Sequence, residues 1–161
     1  MRLYLIRHAA ALPVGGTITT DDERPLSQEG TKTVQLVAAG LKAMGCSPAI
    51  ILSSPLKRAV ETAQILMEVL RPPEGLQTSY DLAPGAAAAD VSGLFAGVEA
   101  DEAAIVGHEP DFGSMTAEFL GADGEIEFKK GAVCCLEFEG SPSPPATLVW
   151  LMPPSAFKAL A

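Results

Sequence analysis

The chain holds two histidines, and each follows a short apolar run. His8 stands in Arg7-His8, directly after residues 3–6, Leu-Tyr-Leu-Ile. His108 stands in Gly107-His108-Glu109-Pro110, after residues 103–106, Ala-Ala-Ile-Val. A third polar group, Ser53-Ser54-Pro55-Leu56-Lys57-Arg58, follows another apolar run at residues 49–52. A lone histidine is usually a core or loop residue making a local hydrogen bond. Two in equivalent positions, joined by arginines, point instead to a site. Arg58 alone reads as a solvated helix residue, but Arg7 at the end of a buried strand needs a partner for its charge. Guanidinium groups offer forked donors that match phosphate oxygens. Helix starts add backbone N–H groups and a positive dipole end. Nearby positive charge lowers the pKa of an imidazole. A neutral imidazole keeps a lone pair on one ring nitrogen and can attack phosphorus, splitting one hard displacement into two easier ones.

The elements that must position these groups follow from the apolar patterning. Residues 3–6, 49–52, 76–80 and 103–106 read as short strands, the third weaker than the others. Residues 11–25 form a polar loop with Gly15-Gly16 and the acidic Asp21-Asp22-Glu23. Ser27 caps a helix whose Val34, Val37, Ala38 and Leu41 recur at helical spacing, and Gly45 ends it. Ser54-Pro55 reads as the N-cap and first residue of a second helix, with Ala59, Ala63, Leu66 and Leu70 on its buried side and Pro72-Pro73 as its stop. A loop at residues 84–89 leads to a short helix over residues 91–96. Another helix carries Phe112, Met115 and Phe119. Residues 132–138 and 147–152 read as closing strands across the turn-rich residues 140–145. Alternating strands and helices predict a three-layer α/β/α fold with a mostly parallel sheet and at least one antiparallel strand. Ligands of such sheets bind beyond the carboxyl ends of the strands, where all three polar groups lie.

The ordered set of motifs resembles the histidine phosphatase (phosphoglycerate mutase-like) superfamily from residue 2 to about residue 152. Leu5-Ile6-Arg7-His8-Ala9 resembles its first motif, residues 53–63 its second, and Val106-Gly107-His108-Glu109-Pro110 its third. Arg24-Pro25-Leu26-Ser27, Gly30 and Leu82-Ala83-Pro84-Gly85 are similar to the short SixA-type branch, which acts on phosphohistidine. The resemblance implies one histidine phosphatase domain over residues 1–161. It also implies that His8 is the nucleophile and that Arg7, Arg58 and His108 hold the phosphoryl group and stabilise transition-state charge. Arg24 is either a further substrate contact or a salt-bridge partner of Asp21, Asp22 or Glu23. Ala9 departs from the glycine usual after the nucleophile, which narrows close approach there. The glutamate proton donor of larger members has no equivalent near Asp81, leaving Asp21, Asp22, Glu23 and Glu109 as candidates.

The missing acid bears on the substrate. An alkoxide leaving group needs protonation, whereas imidazole leaves a phosphoramidate readily, so the pattern favours protein-borne phosphohistidine, such as a phosphotransfer domain. The alternatives are a phosphomonoesterase for a small metabolite, an idle phosphoprotein-binding module, and a metal enzyme using His8, His108 and Asp21 or Asp22. The two arginines beside the histidines argue for a reaction without cofactor or metal. With 11 basic and 20 acidic side chains, 11 − 20 = −9, the chain is no general nucleic-acid binder. An apolar share of 48% excludes a disordered chain. Cys46, Cys134 and Cys135 are odd in number and two are adjacent, so they read as reduced, small apolar residues. The apolar N-terminal run is too short for a signal peptide and no run is long enough to span a bilayer, so the expected location is the cytoplasm.

Overall fold

Alternate residues of the inner strands point to opposite sides of one sheet, and each side is buried by its own helices. The computed structural model describes residues 1–160. In chain order the elements are β1 (Arg2–Arg7), α1 (Gln28–Ala43), β2 (Ile51–Ser53), α2 (Lys57–Leu70), β3 (Leu76–Thr78), α3 (Ala88–Leu94), β4 (Glu102–Gly107), α4 (Asp111–Leu120), β5 (Val133–Glu137) and β6 (Thr147–Met152). The six strands lie in the order β3-β2-β4-β1-β5-β6. β3, β2, β4 and β1 are parallel, and β5 runs antiparallel to both β1 and β6. Leu3, Leu5, Leu52 and Ile105 pack with Val91 of α3, with Phe95 directly after it, and with Phe112, Met115 and Phe119 of α4. Tyr4, Ile6, Ile51 and Val106 pack on the other side with Val34, Val37 and Leu41 of α1 and Ala59, Ala63 and Leu66 of α2. This is the three-layer, phosphoglycerate mutase-like arrangement expected from the sequence.

Helix placement opens the site. The chain leaves β1 towards the α1 face and leaves β4 towards the α4 face, although β1 and β4 are neighbours. The loops that follow them therefore part, leaving a crevice beyond the strand ends. The register puts Arg7 opposite Gly107 and Ser53 opposite Val106, so His8, His108 and Ser54 emerge side by side. Gly107 is small for a packing reason: a Cβ there would lie 2.7 Å from the Phe112 ring.

Several local expectations shift. Ser27 caps α1 as expected, accepting from Gly30 N at 3.0 Å. Ser54 does not cap α2; that helix starts at Lys57 with Leu56 at its N-cap and no side-chain cap. Ser54 Oγ is engaged by His108 and by Leu56 N instead. The third helix starts earlier than expected, at Ala88, because Asp90 accepts from Ala87 N and the Ala-rich segment joins the helix. Two 3₁₀ segments, Tyr80–Leu82 and Pro154–Ala159, add to the expected elements: the first takes over the end of the expected strand at residues 76–80, and the second buries Phe157 against Gly40 of α1. Cys134 and Cys135 are buried on opposite faces of β5, and burial pushes both thiols up to about 12. Among the described residues no helix is long and apolar enough to cross a membrane.

The start of α1 is pressed against the segment that follows His8. Ala10 O accepts from Ser27 N at 2.9 Å, and a Cβ on Gly30 would overlap that same carbonyl. Gly30→Ala is expected to destabilise the protein by about 1–3 kcal/mol through this overlap, lowering the thermal midpoint by about 2–12 °C. A calorimetric midpoint equal to wild type would contradict the close approach.

Candidate active site

Two imidazoles and one guanidinium meet in the crevice. His8, Arg58 and His108 are 7%, 6% and 3% exposed. The His8 and His108 ring centroids are 5.1 Å apart, tilted by 58°. Arg58 comes from the first turn of α2 and points its Nε–H at His8 Nε2, 3.2 Å away. His8 Nδ1 is 2.7 Å from Ala9 O, so the carbonyl accepts from Nδ1–H and the neutral ring carries its lone pair on Nε2. His108 Nε2 lies 2.7 Å from Ser54 Oγ. Its Nδ1 is buried without a partner.

Arg7 donates from Nη1 to Phe128 O at 2.6 Å, which supplies the partner its position demands. Its Nε is buried and unpartnered. Among the described residues only Arg7 Nε, His108 Nδ1 and Thr116 Oγ1 are buried side-chain polar atoms without a hydrogen bond. Such groups are rare and call for a reason. Two of the three belong to residues that the motifs single out. Arg24 lies one step further out. It donates from Nη1 to Asp21 Oδ1 at 2.9 Å and from Nε to Leu12 O at 2.7 Å, so the salt-bridge alternative describes its contacts.

Of the four candidate carboxylates Asp21, Glu23 and Glu109 are engaged, whereas Asp22 is exposed and takes part through its main-chain carbonyl, which accepts from Lys57 N. Asp21 pairs with Arg24 and Arg58, and these contacts hold its carboxyl below the usual range, ionised at neutral pH. Glu23 accepts from Thr19 and Thr20, which lowers its pKa. Burial raises the Glu109 carboxyl, which accepts from Gly113 N at the start of α4. A metal held by His8 and Asp21 is disfavoured because Arg58 already stands between them as a cation. Ala9 is fully buried in the α1-side core. Among the described non-glycine residues only Arg71 has a positive φ, so the backbone after His8 does not need glycine.

Three contributors were not read from the sequence. Ser54 has the sequence position of a helix cap but meets His108 instead, and the serine pair directly after a strand is the signal for it. Thr62, buried one turn after Arg58, donates to Arg58 O at 2.8 Å and accepts from Ala9 N at 3.4 Å, joining α2 to the residue after His8. Lys130 lies close enough to depress His8, and Gly131 N bonds the carbonyls of Arg7 and His8. A basic pair in an acidic chain, Lys129-Lys130, was its only trace.

Burial is the main reason that the His8 imidazole is pushed down to about 4; the Ala9 carbonyl opposes this, while Arg58, Arg7 and Lys130 lower it further. His108 is pushed down to about 3, again chiefly by burial, then by His8 and Arg58, with Asp21 opposing. Both rings are therefore neutral at pH 7. In the unfolded chain they take up protons near 6.5, but in the fold only near 4 and 3. Between those values the unfolded state binds more protons, so stability falls as pH drops from about 6.5 towards 4. The thermal midpoint is expected to fall across that window, and replacing both histidines by glutamine is expected to remove part of the slope. An unchanged slope in that double variant would assign the pH dependence to other groups.

The chain and its fold are similar to known proteins. A family model described as histidine phosphatase superfamily (branch 1) matches residues 3–83. An uncharacterized protein of Picosynechococcus sp. (strain ATCC 27264 / PCC 7002 / PR-6) is 37% identical over 119 residues, 70% of this chain and 69% of that protein. The fold is similar to that of the protein histidine phosphatase SixA complexed with tungstate, with a TM-score of 0.85, 24% identity, and 97% of this chain and 99% of that one covered. It is also similar to the alpha-ribazole phosphatase from Shigella flexneri, with a TM-score of 0.67, 18% identity, and 94% and 96% covered. The family model takes in both the β1 end bearing His8 and the α2 start bearing Arg58, and on that match this chain belongs to the histidine phosphatase superfamily, branch 1.

Proposed function

We propose that residues 1–161 act as one catalytic unit that removes phosphate from protein-borne phosphohistidine through a covalent intermediate on His8. The observation that carries this reading is the His8 ring itself: neutral, tied to Ala9 O through Nδ1–H, with the Nε2 lone pair facing Arg58. A phosphoryl group entering the crevice takes over the Arg58 Nε–H. His8 Nε2 then forms a bond to phosphorus as the bond to the substrate nitrogen breaks, and the departing imidazole keeps the electron pair and takes up a proton from solvent water. The His8 ring now carries phosphorus on Nε2 and a proton on Nδ1, and Ala9 O stabilises its charge. Arg58, Arg7 and His108 stabilise the equatorial oxygens. Water attacks phosphorus in the second step, the Nε2–P bond breaks with its electron pair returning to Nε2, and inorganic phosphate leaves with the protons of the water.

Two features favour a nitrogen leaving group on a protein. Asp21 is ionised and Glu109 is engaged at the α4 start, so neither stands ready to protonate an alkoxide. Leu12 and Val14, after β1, and Tyr80, after β3, are exposed apolar residues on the segments that follow the strand ends, at 42%, 52% and 84%. They offer a protein surface something to pack against. The raised Glu109 carboxyl favours a second reading, a phosphomonoesterase for a small metabolite, if that group turns to the leaving oxygen. The protein cations make a divalent metal unnecessary in either case.

One substrate panel separates the readings: a phosphohistidine protein, free phosphohistidine and simple phosphate esters, each with and without EDTA. Preference for the phosphohistidine protein, unchanged by EDTA, is expected. Preference for an ester, lost in Glu109→Gln, would establish the second reading, and activity restored only by a divalent ion would overturn both. His8→Ala is expected to lose turnover by several orders of magnitude while still binding phosphate. Arg58→Ala is expected to lose about 100- to 1000-fold and to bind phosphate weakly. Brief incubation with labelled substrate should trap an acid-labile phosphoenzyme in wild type and none in His8→Ala. An acid-stable label, or near wild-type turnover by His8→Ala, removes His8 as nucleophile.

A further inference from the structure

We propose that Asp21 is a positioning residue for Arg58: it holds the end-on edge of the guanidinium so that the side edge is presented to the phosphoryl group on His8. The inference rests on the proposed roles of His8 and Arg58 but not on the class of substrate. A guanidinium has five N–H donors and two kinds of forked edge. The end-on edge uses both Nη atoms, and the side edge uses Nε with one Nη. In the crevice Arg58 Nη1 donates to Asp21 O at 2.8 Å and Nη2 to Asp21 Oδ2 at 2.9 Å, so one residue occupies the end-on edge. Nε, on the side edge, is left facing His8 Nε2. A phosphoryl group attached to Nε2 meets a fork that is already aimed at it.

Asp21 is itself fixed from several directions. Its Oδ1 accepts from Arg24 Nη1, and Arg24 is anchored by Leu12 O. The loop carrying Asp21 is tied to α2 by Lys57 N on Asp22 O at 3.0 Å and by Leu26 N on Glu61 Oε2 at 2.7 Å. Asp21 and Arg58 therefore belong to one tied unit. Stability is not the main product of the ion pair, because the Asp21 side chain is 56% exposed against 7% for Arg58, and water screens such pairs. What the pair supplies is direction. A flexible arginine without this anchor would visit several rotamers, and even a 1 Å misplacement at a reacting centre costs about 100-fold. The same geometry gives Arg24 a task that involves no substrate contact: it sets the rotamer of Asp21.

The test is a double-mutant cycle on kcat/KM, with phosphoramidate as substrate and inorganic phosphate as competitor. Asp21→Ala, which removes the acceptor of Nη2, is expected to lower kcat/KM about 10- to 100-fold in wild type. In Arg58→Ala it is expected to change kcat/KM and the phosphate inhibition constant by less than about twofold, since there is no guanidinium left to aim. Asp21→Glu, which keeps a carboxylate, is expected to recover part of the loss. An equal loss in both backgrounds would show that Asp21 acts independently of Arg58, and a wild-type rate in Asp21→Ala would show that its carboxylate does no aiming; either overturns the proposal. If Asp21→Ala does not fold, Arg24→Gln carries the same cycle, because it frees Oδ1 while leaving the Asp21 charge on Arg58. A His8→Ala variant that keeps turning over defeats the proposed function itself, whereas a dead His8→Ala with an additive Asp21 cycle defeats only the role given to Asp21.

Discussion

Burying two imidazoles beside guanidinium groups leaves those imidazoles one favourable charge state, the neutral one. His8 and His108 are almost out of contact with water, 5.1 Å apart between ring centroids, with Arg58 hydrogen-bonded to one of them. Protonating either ring would add a cation to a place that already holds one and has little solvent to screen it. Neutrality then dictates the hydrogen bonds: each ring has one donor and one acceptor nitrogen, and the partners must match. Ala9 O selects the donor on His8, and Ser54 engages His108.

The sheet makes this crowding possible. Parallel β1, β4 and β2 bring three carboxyl ends within two strand spacings, and the register staggers no residue out of line. Crossovers to opposite faces then draw the following segments apart, so the gap is a product of topology rather than of any one side chain. Rigid backbone holds the groups that touch the gap: Gly131 N binds the carbonyls of Arg7 and His8, and His8 N binds Gly107 O at 3.1 Å. The more mobile type of element, a long loop, contributes Asp21 and Arg24, and it is tied down at several points along α2.

The layered fold and the central histidine–arginine group were legible in the sequence because both follow from patterns of near neighbours. Apolar runs of four residues followed by Arg-His, Ser-Ser-Pro or Gly-His-Glu mark strand ends without reference to the rest of the chain. What stayed hidden depends on residues that meet only in the fold. Ser54 has the type and place of a helix cap, and nothing in residues 53–58 tells that His108, 54 positions later, takes its hydroxyl. Lys130 approaches His8 from a loop preceding β5, a meeting set by antiparallel pairing of β5 with β1. Arg24 was left open between substrate and salt bridge for the same reason: an acidic triplet beside an arginine does not say which carboxylate points inward.

The bond from His8 Nδ1 to Ala9 O has a stereochemical consequence under the proposed mechanism. It blocks one ring nitrogen with the protein's own backbone and leaves phosphorus only the other. The phosphoenzyme is then a single regioisomer, the one substituted on the nitrogen distal to Cβ, whatever isomer the substrate brings. A substrate phosphorylated on the proximal nitrogen would thus be converted, in passing, into a distal phosphohistidine on the enzyme. Isomer memory is lost at the first step, so the released phosphate carries no record of which nitrogen bore it.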